Sequence, residues 1–174
     1  MTKPASRPVA LVALGSNLGD SPRILEAAIQ RLASFSAEPP RRSSLWRTTP
    51  VGCPPGSPDF LNAVVLFVPL AEETPETLLD KLQALEREFG RRPKRVQNEP
   101  RPLDLDLVAF GAKRLVTPRL VLPHPRAWQR RFVLAPLAEI APDFLLPGQT
   151  KTIRQLLADL ESDEVVTRLE SGSL

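Results

Sequence analysis

In the stretch Leu103-Asp104-Leu105-Asp106-Leu107, apolar and acidic residues alternate. A strand sends successive side chains to opposite faces, so Asp104 and Asp106 share one face, about 7 Å apart, and the leucines share the other. Aspartate is a poor strand former and neighbouring carboxylates repel, so the pair costs stability unless a cation sits between them. One or two carboxylates, with the remaining positions left to water and substrate phosphates, is how Mg²⁺ is usually held; a solvated polar strand face fits the same pattern. Just upstream, residues 91–101 read RRPKRVQNEPR, setting Arg91, Arg92, Lys94, Arg95 and Arg101 against Glu99 alone. Guanidinium groups beside a metal-carboxylate centre suit phosphoryl-type transfer, which needs positioning and charge neutralisation more than covalent help. Taken alone, the run also fits a solvated basic face or a weak nucleic-acid patch. No GxxxxGK(S/T) loop is present, so a nucleotide would be held in another way. A third group is Phe60 with Asn62, two apart on one strand, where a stacking ring and an amide that both donates and accepts suit a flat polar heterocycle. The bland alternative is a sheet-end core residue beside a turn partner.

These side chains need a scaffold. Val9 to Gly15 is an apolar, β-branched run that reads as a central strand. A helix capped by Asp20 or Ser21 follows, with Pro22 in its first turn and Ile24, Ala27, Ala28, Ile29 and Leu32 at helical spacing. Ser44 to Thr48 and Phe60 to Val68 read as an antiparallel pair joined by a long loop. A second helix starts at Thr74-Pro75-Glu76, carries Leu78, Leu79, Leu82, Leu85 and Phe89, and stops at Gly90. Leu103 to Gly111 is the fourth strand. The order β-α-β-β-α-β is the ferredoxin-like arrangement, an α+β fold in which two helices cover one face of a four-stranded antiparallel sheet. Residues 112–123 read as an added hairpin or edge segment, 126–141 and 152–160 as helices, and 161–174 as a weakly specified tail.

Composition narrows the class. At 174 residues, 42% hydrophobic and 25% charged, the chain fits a single domain spanning 1–174, with flexibility expected at 1–8 and 161–174. Its apolar runs are far shorter than the ~20 residues of a membrane span, and the run after MTKPASRP is too short for a secretory segment, so a cytoplasmic protein is expected. One cysteine, Cys53, allows no intrachain disulfide, and one histidine, His124, excludes a Cys/His metal cluster. A net charge of +3 does not demand a nucleic-acid partner. Half of the 20 prolines gather at 50–58, 93–102 and 118–125, where they punctuate loops inside one domain.

Four ordered segments, ALGSNLGD (13–20), WRTTPVG with PDFLNAVV (46–52 and 58–65), PRPLDLDLVAFG (100–111) and LPHPRAWQRRFVLAPLAEIAPD (122–143), resemble the 6-hydroxymethyl-7,8-dihydropterin pyrophosphokinase family. The resemblance runs through nearly the whole chain. It implies transfer of the pyrophosphoryl group of ATP to the pterin's hydroxymethyl oxygen in folate biosynthesis, with release of AMP. It further implies two Mg²⁺ ions on Asp104 and Asp106, with Arg91 and Arg101 on the transferred group. Phe60 and Phe132 would sandwich the pterin, with Asn62, Thr48 and Val51 completing its recognition. Gln83, Glu86, Leu107, Arg119, His124 and Arg130 would meet ATP. The implied partners are these two small molecules, with no nucleic acid or membrane, and the chain would act as a monomer. The chain departs from the family's pattern at Arg92-Pro93, at Asn98-Glu99 and at Pro125, and has Phe60 where tyrosine is common. Two other readings stand beside this one: a catalytically weakened nucleotide-binding relative, and a ferredoxin-like RNA-binding module using the basic loop.

Overall fold

The computed structural model describes residues 8–50, 53–93, 95–96 and 99–169. Strand β1 (Ala10–Ser16) lies at the centre of the sheet, antiparallel to β4 (Phe60–Phe67) on one side and to β5 (Asp104–Phe110) on the other. Beyond β4 come β3 (Trp46–Thr48) and then β8 (Val166–Arg168), giving the order β5-β1-β4-β3-β8. The two-residue β2 (Arg41–Arg42) also pairs with β4. The first four strands of that order reproduce the expected β-α-β-β-α-β core. The tail departs from expectation: residues 166–168 of the weakly specified segment form a sixth strand, because β3 offers an unpaired edge on which three extended residues find backbone partners.

Helices α1 (Ser21–Ala33) and α2 (Pro75–Glu88) pack on one face. The Asp20 carboxylate accepts the Arg23 N–H to start α1. Thr74 and Thr77 each accept the other's backbone N–H at the start of α2. On this side Leu25, Leu32, Leu78, Leu82 and Leu85 close over Val12, Leu103, Leu105 and Leu107. Each such fully buried leucine is stabilising by about 2 kcal/mol relative to exposure.

The other face is covered too, by α3 (Arg131–Ile140) and α4 (Ile153–Asp159), which enclose a second core of Leu11, Val64, Leu66, Val108, Val133, Leu134 and Leu137. With both faces occupied, β1 is buried at every position. A short 3₁₀ turn (Ala127–Gln129) precedes α3, and the small hairpin β6 (Leu115–Val116) with β7 (Val121–Leu122) fills the place expected for it. The alternation of β5 is broken once. A shift of register opposite Leu11 and Val12 sends both Val108 and Ala109 into the second core, a bulge that the sequence pattern conceals.

Candidate active site

The second core ends partway along the sheet, and what lies past its end is polar. At this end Gly15 of β1 stands opposite Asn62 of β4 and Asp104 of β5, and Ala13 stands opposite Asp106. Thr48 of β3 pairs with Phe60. Because α3 begins only at Arg131, its first turn forms a wall instead of a lid. The result is a cleft of about 580 Å³ that takes in Thr48, Phe60, Asn62, Arg91, Arg101, Asp104, Asp106, His124, Arg130 and Phe132.

At the acidic end, Arg91 Nη1 lies 2.5 Å from Asp104 Oδ1 and 2.8 Å from Glu86 Oε2, and Arg130 Nη1 lies 3.7 Å from Asp106 Oδ2. Glu86 also accepts the Leu105 N–H at 2.9 Å, which ties α2 to the acidic strand. Burial pushes the Glu86 carboxyl above the usual carboxylate range, against the pull of that N–H and of Arg91. Burial pushes Asp106 up to about 7, the charge of Asp104 adding to the effect and Arg130 opposing it. A carboxylate so placed gains from any further cation. Among the described residues no group of three or more histidine, cysteine or acidic side chains is arranged to hold a metal by itself. Two carboxylates with open space before them fit Mg²⁺ shared with substrate phosphates, and they fit no dedicated all-protein cage.

At the other end, the Asn62 amide donates to Thr48 Oγ1 at 2.5 Å, and both side chains are buried. The guanidinium of Arg101 lies 5.3 Å from the centre of the Phe60 ring, and that of Arg130 lies 5.4 Å from the Phe132 ring. His124 Nδ1 accepts the Arg126 N–H at 3.2 Å. Burial first, then the charges of Arg130 and Arg126, push its imidazole below the ordinary histidine value. With Nδ1 accepting the Arg126 N–H, a neutral ring carries its proton on Nε2.

The cleft lining does not include Gln83, Arg119 or Leu107. Gln83 and Arg119 hydrogen-bond each other at 3.0 Å beside Asp80. Leu107 buries its side chain in the first core, so only its backbone is open to a ligand. Val51 lies outside the described residues, as does Lys94.

Gly15, Asn17 and Glu164 are functional-site residues that the sequence reading did not single out. A Cβ at Gly15 would stand 3.2 Å from Asn62 Oδ1 and 3.6 Å from the Phe60 ring, so the absence of a side chain lets the two reach the cleft floor. Asn17 is 3% exposed; its Oδ1 accepts the Arg101 N–H at 2.9 Å and its Nδ2 donates to the Pro58 carbonyl at 3.3 Å. One amide thereby pins the loops on both sides of the cleft. Gly15 and Asn17 both sit inside ALGSNLGD, a signal present in the sequence, whereas nothing in the local sequence marks Glu164.

The family model for 7,8-dihydro-6-hydroxymethylpterin-pyrophosphokinase matches residues 11–142, a span that holds the whole cleft except Glu164. The chain belongs to this pyrophosphokinase family. Among curated members, the 2-amino-4-hydroxy-6-hydroxymethyldihydropteridine pyrophosphokinase of Synechocystis sp. is 42% identical over 160 residues, covering 90% of this chain and 78% of the relative. The Bacillus subtilis protein of the same name is 41% identical over 133 residues, covering 76% and 77%. In the crystal structure of wild-type Plasmodium falciparum HPPK-DHPS the same fold recurs with a TM-score of 0.68 at 14% identity, over 88% of this chain and 44% of that one. This pyrophosphokinase chain therefore spans less than half of that longer protein. Among its described residues, no helix is long and apolar enough to cross a membrane.

Proposed function

We propose that the chain transfers the β,γ-pyrophosphoryl group of ATP to the hydroxymethyl oxygen of 6-hydroxymethyl-7,8-dihydropterin. The bond from that oxygen to the β-phosphorus forms as the bond from the β-phosphorus to the α,β-bridging oxygen breaks; AMP leaves, and the hydroxyl proton passes to water. One observation carries the reading: the paired carboxylates and the paired phenylalanines line the same cleft. The family membership and the curated relatives' names support it.

Asp104 and Asp106 would hold Mg²⁺, two ions by family resemblance. Bound there, Mg²⁺ supplies Lewis-acid neutralisation of the phosphate charge. Arg91 and Arg130, now the counter-charges of the two aspartates, would turn to the phosphates once a cation serves the carboxylates, placing guanidinium groups on charge that grows during transfer. Phe60 and Phe132 would stack on the pterin, while Asn62, oriented by Thr48, would bond its edge. Neutral His124 would donate from Nε2 without adding a charge. Holding two substrates in line takes over much of the barrier, so no protein nucleophile is required. The RNA-binding alternative needs an open, aromatic sheet face; here α3 and α4 cover it.

The test is formation of AMP from ATP and the pterin, with and without EDTA, the product being weighed by mass spectrometry. Pterin-dependent AMP, a diphosphate gain in mass and loss of both with EDTA are expected. ADP as the nucleotide product, or AMP without need of pterin, would overturn the reading.

A further inference from the structure

Residues 160–168 run past the 11–142 span of the family match and place Glu164 in the lining of the cleft. Both ends of the segment are anchored. Leu160 packs on the second core, while Leu169 packs on the first and its N–H donates to the Leu45 carbonyl at 2.9 Å. Between these anchors the segment grips both walls of the phenylalanine end. On the α3 side, Glu164 Oε2 accepts the Arg131 N–H at 2.9 Å, and the Leu160 and Ser162 carbonyls each accept from Arg131 Nη2 at 3.4 Å. On the β3 side, the Thr49 N–H donates to the Val165 carbonyl at 3.3 Å, and Val166 pairs with Thr48.

Arg130, the residue that caps α3, supplies no side-chain cap of its own. The first N–H groups of a helix have no intrahelical partner, and a carboxylate there satisfies one of them and meets the positive end of the helix dipole. Glu164 does this from 33 residues away, and the helix it completes carries Phe132 in its first turn. We propose that segment 160–168 is a strap that sets the distance between the Phe132 wall and the Thr48 wall, with Glu164 as a positioning residue for the flat ring of the substrate. The proposal rests on the pterin reading given above. Cutting the cap frees the first turn of α3, so the ring would meet a wall that must be ordered at the cost of binding, while Asp104, held by Arg91 and by the tie of Glu86 to β5, keeps its geometry.

The test compares wild type with Glu164→Ala, Glu164→Gln and, as a tail carboxylate exposed to solvent, Glu161→Ala. Binding of 6-hydroxymethylpterin is followed by fluorescence titration, KM is measured for each substrate, and hydrogen exchange at the Arg131 amide is read in the unliganded protein. With Glu164→Ala, pterin affinity is expected to fall about fivefold, in line with loss of a helix cap. The pterin KM should rise in step, the ATP KM should rise by less because only Arg130 of its contacts adjoins the cut cap, and the Arg131 amide should exchange faster. Glu164→Gln retains an acceptor oxygen and should recover most of the loss, and Glu161→Ala should match wild type. Unchanged pterin binding in Glu164→Ala overturns the proposal, even if exchange speeds up. So does an equal rise in both KM values, which marks a general structural defect. A wild type that binds no pterin and forms no AMP defeats the functional reading itself, a result plainly different from a competent wild type with a silent Glu164→Ala.

Discussion

Replacing Asn17 by alanine deletes the amide that holds Arg101 on one side and Pro58 on the other. Two hydrogen bonds go, each worth roughly 1 kcal/mol net, and the Arg101 N–H loses its partner in a buried setting, which costs about 1–3 kcal/mol more unless water enters. The expected destabilisation is about 3–5 kcal/mol. For a chain of this size that corresponds to a fall of roughly 6–20 °C in Tm. Urea unfolding followed by the fluorescence of Trp46 and Trp128 measures it, and kinetics below the melting range show whether the staple also matters to the site. Since Arg101 stacks over Phe60 and Pro58 lies two residues before it, loosening both loops should raise the pterin KM and lower kcat together. Asn17→Asp separates the two halves: it keeps an acceptor for the Arg101 N–H but sets a carboxylate against the Pro58 carbonyl, so it should lose the Pro58 side alone. A loss below about 0.5 kcal/mol in Asn17→Ala, with unchanged kinetics, would refute the reasoning and mean that the loops are held independently of this side chain.

Asp104→Asn is expected to abolish AMP formation while leaving the circular dichroism spectrum unchanged, because the carboxylate faces the cleft and not the core; wild-type turnover in this variant would contradict the site. Phe60→Leu should weaken pterin binding about five- to tenfold through loss of stacking, with ATP affinity unaffected; an equal effect on both ligands would place the ring elsewhere. Glu139 accepts hydrogen bonds from the Ser44 N–H, the Ser44 hydroxyl and the Trp46 indole, and although burial pushes its carboxyl up, these bonds hold it below the usual range. A lowered folded-state pKa contributes stability that is present above the unfolded value, about pH 4.3, and is lost as the pH falls through the folded one. Urea midpoints of wild type and Glu139→Gln should therefore differ at pH 7 and converge on acidification towards pH 3, and a gap that stays constant would refute this.

Legibility from sequence followed the range of the interaction. Alternation alone placed Asp104 and Asp106 on the open face, since period 2 is a property of a single strand, and capping residues marked both helices of the first layer. The resemblance brought Phe60, Phe132, Arg91 and Arg101 to one site, and the cleft lining includes all four. What escaped depends on partners far apart in the chain. The bulge at Val108 exists only relative to β1, strand β8 exists only because β3 has a free edge, and Glu164 finds its role at an amide 33 residues away. Gln83 and Arg119 are brought together by the fold, beside Asp80.

The position of β1 between β4 and β5 has a consequence for how the chain is made. The second neighbour of β1, the acidic strand, emerges from the ribosome about 90 residues after it. At ordinary translation speeds that interval is about 5–20 s. Until it passes, the apolar run from Ala10 to Leu14 has at most one of its two edges paired, and an unpaired edge of this kind is a template for association between chains. Nascent-chain arrest before and after residue 110 should thus separate a chaperone-dependent species from a self-sufficient one. The strand that carries the paired carboxylates is also the strand whose arrival completes the sheet's centre.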